Sequence, residues 1–200
     1  MKVFSRNIRF AAFLAAAGFF LTWAFPASAA DRLLREVETL LQARTVSCHI
    51  EGQVLGDLML NSRGKLTFLY VDRKLADALE RLRKADSLTV RSSNVPPQIF
   101  DYAAASRRRG RSFFVARVEA LKNWDFDSSM VSAGGYSPAR EDVLTGVTDN
   151  PFREIKFGEL KLTGGFDAYF AFFVPSEYAK PGETISLGYA DYQTDWPVPR

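Results

Sequence analysis

The sequence predicts a mainly β protein with two or three helices, of the α+β class. Many segments alternate apolar and polar residues with a period of two, as half-buried strands do, whereas few stretches repeat apolar residues at helical spacing. In addition, 47% of the 200 residues are hydrophobic and 24% are charged. This composition is typical of a chain that buries a core, and it argues against disorder.

The first thirty residues have the features of a secretory signal peptide. Lys2, Arg6 and Arg9 precede an apolar run over 10–25, and an Ala-Ser-Ala site ends at Ala29. The apolar run is shorter than the roughly 20 residues that a membrane-spanning helix needs. We therefore expect the leader to be cleaved, leaving a periplasmic or secreted chain without a transmembrane span.

Charge divides the expected mature chain into two parts. Residues 31–121 contain 16 basic and 11 acidic side chains, whereas 122–200 contain 7 and 12. The whole mature chain is therefore formally neutral, which argues against a nucleic-acid partner. The second part holds 14 aromatic residues against 6 in the first. We predict a basic first domain and an aromatic-rich, acidic β extension packed on it.

In the first part, the spacing of apolar residues predicts three helices and five strands. Asp31 and Asp72 are suitable N-cap residues for two of the helices. Helices are expected at 31–44, 73–85 and 99–109, and strands at 45–51, 53–60, 65–71, 88–92 and 112–121.

The second part is predicted to be irregular up to residue 150, with a short helix around 138–144. A hairpin is then expected from the strands 154–162 and 166–174. Both faces of 166–174 are apolar, which predicts a central, buried strand. A last strand is expected at 184–192, and the Pro-rich end from Trp196 is expected to run extended over the surface.

Three stretches of the first part resemble strands of small OB-fold domains. They are GKLTFLYV at 64–71, DSLTVR at 86–91 and FFVARV at 113–118. With the helix at 73–85, this order is similar to a five-stranded OB barrel over 45–121. The resemblance implies an OB-like small barrel, in which the connection 93–111 would be a binding loop. The alternative is a set of helices packed on one face of an antiparallel sheet.

The residues for common catalytic devices are scarce. One His and one Cys exclude zinc fingers, cysteine-ligated clusters and disulfide scaffolds. Cys48 and His49 are neighbours on a strand, so their side chains should point to opposite faces rather than form a nucleophile–base pair. No G-x-S-x-G or phosphate-binding glycine motif occurs. We predict no catalytic residue and no cofactor.

Four arginines form the sharpest local feature. Arg107, Arg108, Arg109 and Arg111 follow a predicted helix. One interpretation is that they interact with the carbonyl groups at the helix C-terminus and with water. The functional interpretation is an anion-binding site for a phosphate, a lipid headgroup or an acidic protein surface.

Two further groups of residues are candidates for binding. Amphipathic aromatic side chains suit a carbohydrate or protein surface, although core packing is the alternative. Asp125 and Asp127 are weak candidates for a cation site, and with Asp191 they are the candidates for a carboxylate pair acting on glycans. The aromatic candidates for a ligand surface are Tyr102, Tyr189, Tyr192 and Trp196.

Together these features predict an exported, non-enzymatic binding or assembly module of the cell envelope. Its expected partner is another envelope protein, a glycan or an anionic ligand. Two alternatives remain open: a carboxylate-dependent, glycan-active enzyme, and a subunit of an envelope complex.

Overall fold

The computed structural model describes residues 29–55, 58–85, 95–106 and 112–200, and it gives the backbone alone for 29, 53–55, 58–60 and 151. The helices are α1 (Ala29–Ala43), α2 (Arg73–Ala85) and α3 (Pro97–Ser106). The strands of the first part are β1 (Thr45–Ile50), β2 (Gln53–Leu55), β3 (Leu58–Leu60), β4 (Gly64–Tyr70) and β5 (Ser112–Ala120). Those of the second part are β6 (Trp124–Asp127), β7 (Val131–Ala133), β8 (Val143–Leu144), β9 (Glu159–Leu162), β10 (Asp167–Val174), β11 (Thr184–Tyr189) and β12 (Tyr192–Pro197). The α+β, mainly β class is confirmed.

A five-stranded antiparallel sheet forms the middle of the molecule. Its order is β1-β4-β5-β10-β8. The long strands β5 and β10 pair along their whole length, from Asp167 opposite Glu119 to Val174 opposite Ser112. Strands from both sides of the predicted boundary at residue 121 are therefore adjacent in one sheet.

Strand β10 is the central, buried strand that its two apolar faces predict. Tyr169 and Phe173 pack with the helices on one face of the sheet. Phe170 and Phe172, which alternate with them, pack into a second core on the opposite face. Seven of its eight residues are buried, because both faces of this strand are covered.

The three helices form a layer on one face of the five-stranded sheet. In α2 the helical repeat of Leu75, Leu79 and Leu82 is fully buried against that face, as the sequence predicts. No helix in the described part of the chain is long and apolar enough to cross a membrane.

Further strands cover the opposite face. One sheet has the order β12-β11-β7, and β6 pairs with β9 in a two-stranded sheet. Trp124, Phe126 and Tyr189 of these strands pack together, with ring centroids 5.0–5.2 Å apart. The result is a three-layer arrangement of helices, central sheet and outer strands, with an apolar core on each side of the central sheet.

Three local predictions are wrong. The expected single strand at 53–60 is the β2–β3 hairpin. The expected hairpin of 154–162 with 166–174 does not form, because β9 pairs with β6 while β5 and β8 take both edges of β10. The C-terminal end does not run over the surface, because β12 extends to Pro197 and the side chains of Trp196 and Val198 are buried. The proline lies on an edge strand, where its missing N–H is tolerated.

The OB-like barrel is not confirmed. The described strands form open sheets, and the expected strand at 88–92 lies outside the described residues. The alternative prediction fits the helix side, since α1, α2 and α3 share one face of an antiparallel sheet. The other face of β5 and β10 is also apolar, and the outer strands bury it.

Candidate functional site

A cleft of about 650 Å³ opens at the end of the central sheet where β4 ends and β5 begins. The end of β4, the first turns of α2, the last residue of α3, the first residue of β5 and the loop after β10 surround it. This volume is in the range of small-molecule sites. The residues that line it are Tyr70, Val71, Asp72, Arg73, Ala76, Asp77, Ser106, Ser112, Ser176, Ala179 and Pro181.

A buried ion pair forms part of the wall behind the cleft. The guanidinium of Arg44, whose side chain is 3% exposed, donates from Nη2 to Asp72 Oδ2 at 2.7 Å. The other carboxylate oxygen of Asp72 accepts the N–H of Leu75 at 2.8 Å and so caps α2. Arg44 Nε is buried and has no hydrogen-bond partner among the described residues. Asp72 therefore anchors a helix start and balances a buried cation with the same carboxyl group.

The rest of the lining combines hydroxyl groups with charges of both signs. Ser106, Ser112 and Ser176 come from three different elements, and Ser106 Oγ donates to Ala103 O within α3. Arg73 and Asp77 are a helical i,i+4 pair whose charged atoms are 3.8 Å apart. The cleft therefore offers hydrogen-bonding and charged groups beside apolar side chains.

The predicted anion-binding arginines, Arg107, Arg108, Arg109 and Arg111, lie outside the described residues. Their chain neighbours on both sides are described, however. Ser106 directly precedes this segment and Ser112 directly follows it, and both line the cleft.

The predicted aromatic ligand surface is wrong as a group, because three of its four members are buried. Trp196 packs against the rings of Tyr70 and Phe114, and Tyr189 is stacked on Phe126. The hydroxyl oxygen of Tyr189 also accepts the N–H of Asp127 at 3.0 Å. These side chains reach hydrogen-bond partners or apolar neighbours inside the fold, so core packing explains them.

Tyr102 is the most buried member of that set, and Tyr192 is the exposed one, at 38%. The Tyr102 hydroxyl donates to Glu154 Oε1 at 3.2 Å. Burial first, and then the charge and hydrogen bond of Glu154, raise the pKa of Tyr102 far above its ordinary value. Tyr102 therefore acts as a neutral hydrogen-bond donor inside the protein.

The acidic candidates are only partly brought together. Asp125 and Asp127 lie on β6 and line a groove of about 470 Å³ with Glu159, but Asp191 is not among the lining residues. Asp127 Oδ1 accepts both the N–H and the hydroxyl of Ser129, at 2.9 and 2.8 Å. Within the described residues, no group of three or more His, Cys, Asp or Glu side chains is arranged to hold a metal ion.

Cys48 and His49 point to opposite faces of β1, as their adjacency predicts. Cys48 belongs to the core between the sheets, whereas His49 is half-buried outside it. The thiol contacts Tyr192 O at 3.3 Å, and burial raises its pKa. The structure thus keeps this cysteine as a protonated core residue.

Two polar arrangements were not predicted from the sequence. Arg117 of β5 makes a two-point ion pair with Asp167 of β10, with nitrogen–oxygen distances of 2.8 and 2.9 Å. Hydrogen bonding to Asp167 raises the pKa of Arg117 above its ordinary value. The alternation of Arg117 and Glu119 in an otherwise apolar strand is the signal that marked this face, but Asp167 joins it only through strand register.

The second arrangement is centred on Glu154. Its carboxylate accepts the backbone N–H groups of Gly146, Val147 and Thr148 at 2.7–3.0 Å, in addition to the Tyr102 hydroxyl. One side chain thereby fixes an irregular loop onto α3. No sequence signal marks this role, because three of the four partners are main-chain groups.

No family model matches the chain, and none of the curated proteins or solved structures matches it.

Proposed function

We propose that this protein is an exported, non-enzymatic binding module of the cell envelope, and that the cleft between β4, α2 and the loop after β10 takes a small anionic ligand. The observation that carries the proposal is the position of Ser106 and Ser112. These two cleft residues are the attachment points of the segment that contains Arg107, Arg108, Arg109 and Arg111.

Chain connectivity supports this link between cleft and arginines. Six peptide steps separate Ser106 from Ser112, so the four arginines belong to a short connection between two cleft residues. Four positive charges in that connection favour an anion as the ligand, because guanidinium groups bind phosphate and carboxylate in a two-point geometry.

The described part of the cleft supplies complementary chemistry without a large opposing charge. The negative charge of Asp72 is balanced by Arg44, and that of Asp77 by Arg73. The hydroxyls of Ser112 and Ser176 can donate to ligand oxygens, whereas the Ser106 hydroxyl donates to Ala103 O. The chain leader supports an envelope location, since it has the three regions of a secretory signal.

The test uses the mature chain purified after export, with inorganic pyrophosphate as the probe. Native mass spectrometry first shows whether a ligand is retained, and the denatured mass gives the leader cleavage site. Titration with pyrophosphate should then shift the amide resonances of Ser106 and Ser112, and added salt should weaken the binding. The substitution Arg107→Ala/Arg108→Ala/Arg109→Ala should abolish it.

A matched variant controls for the loss of three positive charges. Arg32, Arg35 and Lys122 are exposed basic residues that do not line the cleft. Their simultaneous replacement by Ala should leave pyrophosphate binding within about twofold, since none of them lines the cleft and salt screens the attraction of exposed charges. Equal losses in the two triple variants would show nonspecific attraction and reject the cleft as the site.

A further inference from the structure

Phe152 is the most exposed large hydrophobic side chain in the described part of the chain. It is 86% exposed, whereas the next, Leu121, is 55% exposed. Phe152 lies in the turn Pro151–Arg153, on the long connection between β8 and β9. Its ring is thus available to contact another surface.

The turn that carries Phe152 is firmly held. The side-chain oxygen of Asn150 accepts the N–H of Phe152 at 3.1 Å, and its carbonyl oxygen accepts the N–H of Arg153 at 3.0 Å. The next residue is Glu154, whose carboxylate binds three backbone N–H groups and Tyr102. The N–H of Ile155 then donates to Tyr169 O on β10 at 2.8 Å. The exposed ring is therefore presented by a pre-organised support rather than by a loose loop.

Positive charge accompanies the ring. Arg153 and Lys156 are both exposed, while the carboxylate of Glu154 between them is occupied by its hydrogen bonds. Asp149, three residues before Phe152, is also exposed. The exposed charges near the ring are therefore two cations on its C-terminal side and one carboxylate on its N-terminal side.

We propose that the Phe152 turn is a membrane-surface anchor that inserts Phe152 at the boundary of an anionic lipid layer, with Arg153 and Lys156 at the level of the headgroups. An aromatic ring beside two cations matches both the apolar and the anionic part of such a surface. The feature is a single convex projection, and a lipid layer accommodates it without a preformed pocket. A protein partner would need a matching cavity and a wider interface.

The expected binding is reversible, because the anchor is small. Each cation contributes roughly fivefold to partition onto an anionic surface, and the buried ring contributes about tenfold or more. This anchor is independent of the proposed cleft, since none of its residues lines that cavity.

The test measures co-sedimentation of the exported mature chain with two kinds of vesicle, either phosphatidylcholine alone or equal parts of phosphatidylcholine and phosphatidylglycerol. The parent should bind the anionic vesicles and be released by salt. Phe152→Ala should weaken this binding by about tenfold or more. Arg153→Gln/Lys156→Gln should weaken it by roughly twenty-fivefold on the anionic vesicles alone.

Two further variants make the result specific. Met130→Ala removes another exposed apolar side chain, 48% exposed, in a groove lined by three carboxylates and one lysine, and it should not change vesicle binding. Phe152→Trp should retain binding, and its fluorescence should shift to shorter wavelength on anionic vesicles. Unchanged thermal unfolding would confirm that each variant is folded. Failure of the parent to bind anionic vesicles, equal binding by Phe152→Ala, or crosslinking from position 152 to a protein without vesicle binding would overturn the proposal.

Discussion

Replacing Asp72 by Asn separates the two roles that the Asp72 carboxyl group has in the fold. Asparagine caps a helix as well as aspartate, so the hydrogen bond to Leu75 N should survive. The negative charge opposite Arg44 is lost, however, and the Arg44 side chain is only 3% exposed. Because Arg44 Nε already lacks a partner among the described residues, the guanidinium has little other compensation.

The size of the effect follows from burial. Breaking one side of a buried ion pair costs about 3–5 kcal/mol, and the 21% exposure of Asp72 places this case near 3 kcal/mol. A domain of this size is stable by roughly 5–15 kcal/mol, so the loss is a large fraction of the total. It should lower the midpoint of thermal unfolding by about 6–12 °C. Asp72→Ala should cost about 1 kcal/mol more, because it also removes the helix cap.

The assay is urea unfolding of Asp72→Asn, Arg44→Met and the double variant. If the charges interact as the 2.7 Å contact indicates, replacing Asp72 should cost much less in the Arg44→Met background, with a coupling of about 2 kcal/mol. Additive effects, within about 0.5 kcal/mol, would refute the argument that Asp72 stabilises the buried guanidinium.

Three other predictions concern glycine geometry, the core thiol and a buried phenol. Gly134→Ala should destabilise the fold by about 3 kcal/mol or more, because a Cβ there would lie 1.9 Å from Tyr178 O at a φ of +62°; Gly135→Ala, with φ +82° and open space, should cost about 1 kcal/mol in the same urea titration. Similar losses at both positions would rule out the close contact as the cause. Burial raises the pKa of the Cys48 thiol, so a thiol-specific disulfide reagent should modify the folded chain at least about tenfold more slowly than the chain in urea, and equal rates would contradict its burial. Burial and Glu154 hold the pKa of Tyr102 above its unfolded value, so this phenol stabilises the fold fully below pH about 10, and the stabilisation is lost by up to about 1.4 kcal/mol per pH unit above it. Tyr102→Phe should make alkaline unfolding less steep, and an unchanged slope would exclude Tyr102 as a contributor.

The periodicity of apolar residues predicts those helices and strands in which each face has the same surroundings along its whole length. The heptad-like spacing in α2 and the two apolar faces of β10 both follow from what each side of the element touches. Pairing between distant strands has no such local signal. The sequence predicts a hairpin of 154–162 with 166–174, but β10 pairs along its whole length with β5 on one edge and with two residues of β8 on the other, which leaves β9 to pair with β6.

The same distinction applies to the candidate site residues. Tyr102 has an amphipathic side chain. Such a side chain suits an exposed binding surface, but it suits a core equally well if the core offers one hydrogen-bond acceptor for the hydroxyl group. The acceptor is Glu154, which is 52 residues away in the chain. The sequence does not mark Glu154. Its partners include backbone N–H groups, which nearly every residue has, so in sequence Glu154 cannot be distinguished from an acidic residue in a solvated loop.

In the Arg117–Asp167 ion pair, the sequence pattern marks only the arginine. Arg117 and Glu119 interrupt an apolar strand, which marks a polar end on the helix-side face of the sheet. Asp167 completes the pair only because it stands opposite Glu119, two residues along the ladder from the position opposite Arg117. A single-residue slip of β10 would turn Asp167 to the other face, into the apolar core between the sheets. The cross-strand ion pair and the burial of both faces therefore favour the same register.

Function in this architecture depends on irregular segments supported by a regular scaffold. Both faces of the central sheet are filled with side chains, which leaves the strand ends and connections as the places where chemistry is accessible. The cleft lies at the ends of β4 and α3, and Phe152 projects from the connection between β8 and β9. In each case a half-buried carboxylate accepts backbone N–H groups: Asp72 at the start of α2, and Glu154 from the loop at 146–148. Asp72 and Glu154 therefore connect the packed core to the cleft and to the Phe152 turn, the two surfaces that we propose to bind ligands.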